Sequence, residues 1–196
     1  MRSTEAWAQG RAGEEAIIRW FKQQDYYVTP TSFIERDNAP LAEGRLGSLI
    51  LPDLLVATAG ASKWVECKAY RHAAPWWTTS SRKGTPRYRH GIPLRNWQQY
   101  LRLQSESGIP GSIAILEESG RLLLQTLDIL RANIAQTYLG TNMPSGQQVF
   151  FWVEAFEWHW ADGNKEIPWI EPQASRVLEA KPAPLYRQLP FSDGGR

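Results

Sequence analysis

Two apolar runs joined by a short link constrain the fold of this chain more than any other feature of its sequence. The runs cover residues 49–58 and 63–70, and the link 59–62 reads Ala-Gly-Ala-Ser. Apolar runs of this length around a glycine-containing link are typical of a β-hairpin. The sequence therefore predicts two antiparallel, largely buried strands at the centre of a sheet.

Besides Lys63, which begins the second run, three charged residues lie within these runs: Asp53, Glu66 and Lys68. Glu66 and Lys68 are two residues apart, so they point to the same face of a strand. A turn centred between residues 60 and 61 makes antiparallel partners sum to about 121, which places Asp53 opposite Lys68. On this register the three side chains lie within roughly 5–8 Å of one another. A buried salt bridge or an exposed charged sheet face is the competing explanation, because unpaired buried charges cost free energy.

A helix is predicted over residues 5–24, where apolar residues recur at helical spacing. At 100° per residue, Glu14 falls within the arc of Ile17 and Phe21, whereas Glu15 falls on the other side. Glu15 is therefore predicted to face solvent. Glu14 is either a boundary carboxylate paired with an arginine or lysine, or a third acid aimed at the same place as Asp53 and Glu66.

The remaining pattern predicts one mixed sheet flanked by helices, in an α/β or α+β sandwich. One domain is expected over residues 1–165, with its core at about 5–127, followed by an extended, proline-rich tail over 166–196. The other predicted elements are a strand over 26–33 with Pro30 marking an edge or bend, a loop over 34–48, an irregular stretch over 71–92, a helix over 93–106, strands over 112–117 and 122–127, a short helix over 128–138 and a long strand over 147–159.

Three carboxylates and one ammonium group form a specific chemical set. Carboxylate oxygens bind Mg²⁺, which keeps several waters and completes its shell with a substrate phosphate. Such an ion polarises a phosphoryl group and lowers the pKa of water. A lysine beside it stabilises developing negative charge, or positions or deprotonates the attacking water.

Composition excludes several other classes of site and partner. The 196 residues carry a net charge of +2, so the total charge does not by itself indicate nucleic acid. One cysteine excludes an internal disulfide, and three scattered histidines lack metal-ligand spacing. The polar N-terminus and the absence of a long apolar run predict no secretory signal and no membrane span, hence a cytoplasmic protein.

Charge is unevenly distributed, however, and one stretch is strongly basic. Residues 71–95 contain six cationic side chains and no Asp or Glu, and the stretch follows directly on the second strand of the hairpin. It is predicted either to contact phosphates or to form a solvated loop without a ligand. Trp76 and Trp77 in the same stretch allow base stacking. The candidate nucleic-acid-binding residues are Arg71, Arg82, Lys83, Arg87, Arg89 and Arg95.

These motifs together resemble the PD-(D/E)xK nuclease superfamily, in its restriction-endonuclease-like and Holliday-junction-resolvase-like branches. Pro52-Asp53, twelve intervening residues and Glu66-Cys67-Lys68 match its signature, and Gly13-Glu14 in an amphipathic helix resembles its beginning. The resemblance covers about residues 10–117. It implies an α-β-β-β-α-β core with a central mixed sheet.

The resemblance also implies roles for individual residues. Asp53 and Glu66 would be metal ligands together with the backbone carbonyl of Cys67, Glu14 would hold a metal water or a second metal, and Lys68 would orient or activate the nucleophilic water. Exonuclease-like members carry Gln-x-x-x-Tyr on the following helix. Here that spacing holds Asn96 and Tyr100. Gln98 and Gln99, which are out of register, are predicted as neighbours of the site.

The leading hypothesis is therefore a DNA endonuclease that uses Mg²⁺ or Mn²⁺ and no small-molecule cofactor. The resemblance implies that its products carry 5′-phosphate and 3′-hydroxyl ends. Many members act as dimers, so a homodimer is allowed. The alternative is a non-catalytic nucleic-acid-binding subunit that reuses the fold. A hydrolase of small phosphates has less support, because no Walker-type loop is present.

Overall fold

A computed structural model of the chain describes residues 4–31, 41–44, 47–77, 85–138 and 146–161. The chain divides into two units, Met1–Lys165 and Glu166–Arg196. The second unit lies outside the described residues, so the domain over 1–165 and the tail over 166–196 stay predictions. Within the described ranges, no helix is long and apolar enough to cross a membrane.

Twelve strands and three helices make up the described part of the first unit. In chain order they are α1 (Thr4–Gln23), β1 (Tyr27–Pro30), β2 (Leu41–Gly44), β3 (Gly47–Ile50), β4 (Leu54–Thr58), β5 (Ala61–Tyr70), β6 (Ala74–Trp76), β7 (Arg87–Pro93), α2 (Leu94–Ser107), β8 (Gly111–Glu117), β9 (Arg121–Thr126), α3 (Leu127–Ala132), β10 (Ile134–Tyr138), β11 (Gln148–Trp152) and β12 (Glu157–Trp160).

The main sheet has six strands in the order β1-β4-β5-β8-β9-β12. β5 and β8 are parallel and the other neighbours are antiparallel, so the sheet is mixed. α2 makes the crossover between the two parallel strands, and β1 is an edge strand, as Pro30 indicated. The order α1-β1-β4-β5-α2-β8 is a restriction-endonuclease-like α/β core, and the predicted fold class is confirmed.

The central hairpin forms as predicted, but its register is two residues tighter. Leu54 pairs with Val65 and Thr58 with Ala61, so antiparallel partners sum to 119 rather than 121. The reason is a turn of only two residues, in which the Gly60 N–H bonds the Thr58 carbonyl at 2.8 Å. β5 extends beyond the start of β4. The first run also divides, because residues 51–53 separate β4 from β3, which pairs with β2 instead.

The two faces of the main sheet bury different side chains. One face packs against α1 through Ile17, Phe21, Val65 and other apolar residues. The opposite face packs against α2, α3 and a second sheet, in a core that includes Ile113 and the residues Trp97, Tyr100, Val149 and Phe151. Because strand side chains alternate, Glu66 and Lys68 share the α2 face with Ile113, whereas Cys67 lies on the α1 face.

The second sheet, in the order β10-β11-β7-β6, corrects three predictions. Residues 71–92 are not irregular where they are described, because they contain β6 and most of β7. The helix predicted over 128–138 ends at Ala132, and β10 follows it. The strand predicted over 147–159 is two strands in different sheets, separated by a 3₁₀ turn over Val153–Ala155. A fourth prediction is corrected outside this sheet. The stretch predicted as a loop over 34–48 contains β2 and the start of β3 in its described part, and these two strands pair with each other. Apolar alternation is equal in both sheets, so it did not indicate which sheet a strand joins.

Candidate active site

Asp53 lies at the junction between the β2-β3 hairpin and β4, where the chain enters the main sheet. Thr31, which is buried, fixes this junction from the end of β1. Its N–H donates to the Asp53 carbonyl at 2.8 Å, and its hydroxyl donates to the Pro52 carbonyl at 2.6 Å. These bonds satisfy buried backbone groups and hold Asp53 immediately before the first paired residue of β4.

The Asp53 carboxylate is turned toward β5. Its Oδ2 accepts a hydrogen bond from the backbone N–H of Cys67 at 2.7 Å. The pairing of β4 with β5 ends at Leu54 and Val65. Beyond it, the Cys67 N–H has no backbone carbonyl of β4 opposite it, and it donates to the Asp53 side chain instead. The carboxylate therefore sits beside the Glu66-Cys67-Lys68 segment, as the signature predicts, although the register extends toward Glu66 rather than Lys68.

Glu66 is the most buried member of the set, with 3% of its surface exposed. Its carboxylate is ion-paired with the Lys68 ammonium group and also accepts a hydrogen bond from the Tyr100 hydroxyl of α2. Burial and the nearby Glu66 carboxylate raise the pKa of Tyr100, so its hydroxyl stays protonated and remains a donor. Asn96 lies 3.4 Å from the same hydroxyl.

The acids of the site perturb one another. Burial, followed by the Glu66 charge, raises the pKa of Asp53 to about 7, although Lys68 and the Cys67 N–H oppose the shift. Burial alone would lower the pKa of Lys68, but Glu66 and Asp53 outweigh it and the net shift is upward. Lys68 therefore stays an ammonium group at neutral pH, whereas Asp53 is close to half-protonated.

Glu14 approaches the same group from α1. It is half-buried and Glu15 is exposed, as the helical arc predicted. Burial raises the pKa of Glu14, and the charges of Glu66 and Lys68 also act on it. α1 comes this close because of Gly13, where a Cβ would lie 2.5 Å from the Cβ of Ala69 on β5.

The donor set fits a divalent cation better than it fits a structural salt bridge. If ionised, Glu14, Asp53 and Glu66 give three negative charges against the single charge of Lys68, and the Glu66 charge adds to burial in raising the pKa of Asp53. A divalent cation would relieve the excess. In the described ranges, however, no group of three or more His, Cys, Asp or Glu residues is arranged to hold a metal ion.

The predicted phosphate-contacting residues do not form one group. Arg71 lies exposed just after β5, Arg95 is exposed at the start of α2, and Arg87 and Arg89 lie on β7 in the second sheet. Arg82 and Lys83 lie outside the described residues. Arg71 follows closely on the Glu66–Lys68 segment in sequence, whereas Arg87 and Arg89 belong to the second sheet.

Sequence reasoning pointed to Gln98 and Gln99 and missed two residues that contact the site. Gln98 is exposed, and the Gln99 side-chain oxygen is buried without a hydrogen-bond partner in the part of the chain described. Tyr100 occupies the position that the exonuclease-type motif gives to tyrosine, so that spacing was the signal for it. Thr31 had no sequence signal beyond a polar residue after an edge strand.

A second buried ionic cluster lies at the far ends of β5 and β8. Glu117 accepts from Arg121 Nε at 2.7 Å and hydrogen-bonds His90 Nε2 at 2.8 Å. Tyr70 stacks on His90 and donates to the Gly91 carbonyl. Burial by itself would raise the pKa of Glu117, but His90 and Arg121 outweigh it and hold that pKa below its usual range. The cluster joins the second sheet to the main sheet.

Comparison with known proteins gives a limited result. No protein-family model and no curated protein sequence matches the chain. Solved structures that match include Hjc, a Holliday junction resolvase from the archaeal hyperthermophile Archaeoglobus fulgidus. The two chains are 7% identical, the match covers 75% of this chain and 86% of Hjc, and the TM-score is 0.48. The fold class rests on the strand order and registers of this chain rather than on that match.

Proposed function

We propose that this chain is a Mg²⁺-dependent DNA endonuclease of the PD-(D/E)xK superfamily, with its active site at Asp53, Glu66 and Lys68. The observation that carries the proposal is the position of the Asp53 carboxylate. It bonds the backbone between Glu66 and Lys68 and has its pKa raised to about 7 by burial and by Glu66. Perturbed carboxylates of this kind are characteristic of functional sites.

In this proposal, Asp53 and Glu66 hold the ion, with the Cys67 carbonyl as a further ligand. When bound, the ion supplies Lewis-acid activation of a phosphodiester and of water. Lys68, held as an ammonium group, stabilises charge that develops on the phosphate or fixes the attacking water by donating to it. Its raised pKa makes it a poor general base before the ion binds.

Two further residues support this arrangement. Tyr100 holds one carboxylate oxygen of Glu66 by hydrogen bonding, which restricts the rotamer of that ligand. Glu14, half-buried at the edge of the site, is proposed to hold a solvent molecule there. DNA as substrate, 5′-phosphate and 3′-hydroxyl products, a homodimer and a cytoplasmic location all extend this proposal by analogy with the superfamily.

A non-catalytic nucleic-acid-binding module is the second candidate. One observation favours it: among the described residues, no three His, Cys, Asp or Glu side chains are arranged so that they could hold a metal ion together. The Lys68–Glu66 ion pair would then be purely structural.

A plasmid-nicking assay with Mg²⁺ and with Mn²⁺ separates the two candidates. Wild-type protein is expected to relax supercoiled DNA, and Asp53→Asn and Lys68→Ala are expected to reduce the rate at least about 100-fold, since each removes charge at the reacting group. Glu15→Gln, an exposed neighbour of Glu14, serves as the matched control. A folded wild-type protein that binds DNA without nicking it in either metal would establish the binding module instead.

A further inference from the structure

The outward surface of the second sheet carries interleaved aromatic and arginine side chains, which we call the stacking face. Its members come from three adjacent strands: Trp76 on β6, Arg87 and Arg89 on β7, and Phe150 and Trp152 on β11. The opposite face of β7 and β11 is buried in the α2-side core through Ile92, Val149 and Phe151, whereas β6 is an exposed edge strand. The stacking face therefore points away from the main sheet and contains none of Asp53, Glu66 and Lys68.

Strand alternation sets the composition of this face. On β11, Val149 and Phe151 are buried, whereas Phe150 and Trp152 are only partly buried. β7 alternates in the same way, with its arginines outward. The cross-strand registers pair Trp152 with Arg89 and Phe150 with Gly91. The five side chains are thus neighbours on one surface, although they are distant in sequence.

The side chains are stacked against one another. The guanidinium carbon of Arg89 lies 4.0 Å from the ring centroid of Trp76 and 4.1 Å from that of Phe150. Arg87 lies 3.8 Å from the ring of Trp152. A Cβ at Gly91 would come within 2.6 Å of the Phe150 ring, so glycine lets that ring lie across β7. Stacking of this kind holds the guanidinium groups flat and in place before any ligand binds.

Both the charge and the chemistry of this face are unusual for a solvated sheet surface. Trp76 keeps 38% of its surface exposed on the short edge strand β6. Residues 71–95, which include β6 and β7, have six cationic side chains and no acid. Glu154 lies 3.5 Å from Arg87, but the pair is exposed and so is weak in water. A surface of exposed rings and fixed cations complements phosphates and planar bases.

We propose that the stacking face binds single-stranded nucleic acid. Unpaired bases would stack on the exposed ring surface of Trp76, and Arg87 and Arg89 would contact the phosphates. A duplex hides the faces of its bases, so a stacking surface favours unpaired strands. Every base has a ring face that can stack on an aromatic side chain, so little sequence preference is expected. This inference goes beyond the proposed endonuclease and holds whether or not Asp53 and Glu66 are catalytic.

The test is fluorescence anisotropy with labelled 20-nucleotide probes in EDTA, so that no cleavage interferes. The probes are oligo(dT), a mixed-sequence DNA strand, the RNA of the same sequence and the blunt DNA duplex. Wild-type protein is compared with Trp76→Ala, Trp76→Phe, the double variant Arg87→Ser/Arg89→Ser, and the control Arg19→Ser. Arg19 is exposed on α1, on the other side of the main sheet. Circular dichroism checks that each variant is folded.

We expect the wild-type protein to bind single strands at least about tenfold more tightly than the duplex. Trp76→Ala should weaken single-strand binding at least about fivefold, and Trp76→Phe should retain most of it, since a ring remains. The double arginine variant should lower the slope of log affinity against log salt by about 1.4, while Arg19→Ser changes little. The DNA and RNA probes show whether the 2′-hydroxyl matters, and stacking predicts similar affinities.

Three results would overturn the proposal. They are equal or tighter duplex binding, single-strand binding in Trp76→Ala equal to that of Arg19→Ser, and a wild-type dimer that Trp76→Ala dissociates while no strand binds. Trp76 lies on an exposed edge strand of three residues, so its replacement is expected to leave the core intact. Trp76→Ala therefore still tests the proposal if the double arginine variant does not fold. Failure of the nicking assay leaves these binding results unaffected, so the two proposals fail separately.

Discussion

Asp53 shows how a single carboxylate is set by its surroundings rather than by its own chemistry. Thr31 fixes its backbone, the Cys67 N–H fixes its side chain, and burial together with the Glu66 charge raises its pKa. Its ordinary pKa of 3.8 becomes about 7 in the folded protein. At a pH between these two values, the Asp53 carboxyl is therefore protonated in the native state and releases its proton on unfolding.

That shift predicts a pH-dependent stability in the absence of metal. As pH rises from about 4 to 7, the native state holds a proton that the unfolded chain has lost, so the contribution of Asp53 to stability falls. In EDTA, Asp53→Asn should therefore gain stability over wild type across this range, by as much as about 4 kcal/mol at pH 8. Urea unfolding at several pH values measures the difference.

The exposed variant Asp25→Asn is the matched control and should show no such trend. Excess Mg²⁺ should remove much of the advantage of Asp53→Asn, since a cation stabilises the ionised carboxylate. A constant difference between wild type and Asp53→Asn from pH 4 to pH 8 would show that Asp53 is not perturbed.

At the scale of elements, the contact between α1 and β5 positions Glu14 relative to the other acids. The helix approaches the strand at Gly13, where a Cβ would meet the Cβ of Ala69 at 2.5 Å. Gly10, one turn earlier on the same helix, has nothing within 4 Å of its Cβ position. Close packing on β5 therefore requires a glycine at position 13, whereas no contact requires one at position 10.

Gly13→Ala should destabilise the protein by about 1–3 kcal/mol, because the clash exceeds the gain in helix propensity. Gly10→Ala is the matched control and should stabilise by about 0.5–1 kcal/mol. The double variant Gly13→Ala/Ala69→Gly should recover much of the loss, since it removes the opposing methyl group. Thermal unfolding of these three variants and of Ala69→Gly alone measures the effects, and additive effects at positions 13 and 69 would rule out a direct contact.

Across the whole molecule, two sheets are joined by the ionic cluster of Glu117, His90 and Arg121. His90 comes from β7 in the second sheet, whereas Glu117 and Arg121 belong to the main sheet. Because Glu117 and His90 are buried, removing one partner leaves the other unsatisfied.

Glu117→Gln should lower the free energy of unfolding by roughly 3 kcal/mol at neutral pH. The pKa of Glu117 is lowered on folding, so its contribution is complete above its ordinary value of 4.5 and is lost as pH falls through the lower native value. The difference in the free energy of unfolding between wild type and Glu117→Gln should therefore become smaller only at acidic pH. Glu118→Gln, exposed next to it, is the control; a gap that narrows near pH 7 would contradict this assignment.

The sequence alone determined the central hairpin and the gathering of its charged residues. Alternation places Glu66 and Lys68 on one face of a strand whatever the register, and the helical arc separates Glu14 from Glu15. These are local properties of the backbone, so they hold in the structure even though the predicted register of the hairpin was wrong by two residues.

Only the tertiary structure decided which strands share a sheet and which side chains complete the site. Periodicity did not divide residues 147–159 between two sheets, because both halves alternate equally well. Thr31 and Tyr100 are brought to the site by β1 and α2, elements distant in sequence, through hydrogen bonds that no local pattern encodes. The stacking face likewise exists only because β6, β7 and β11 pair, which long-range packing alone determines.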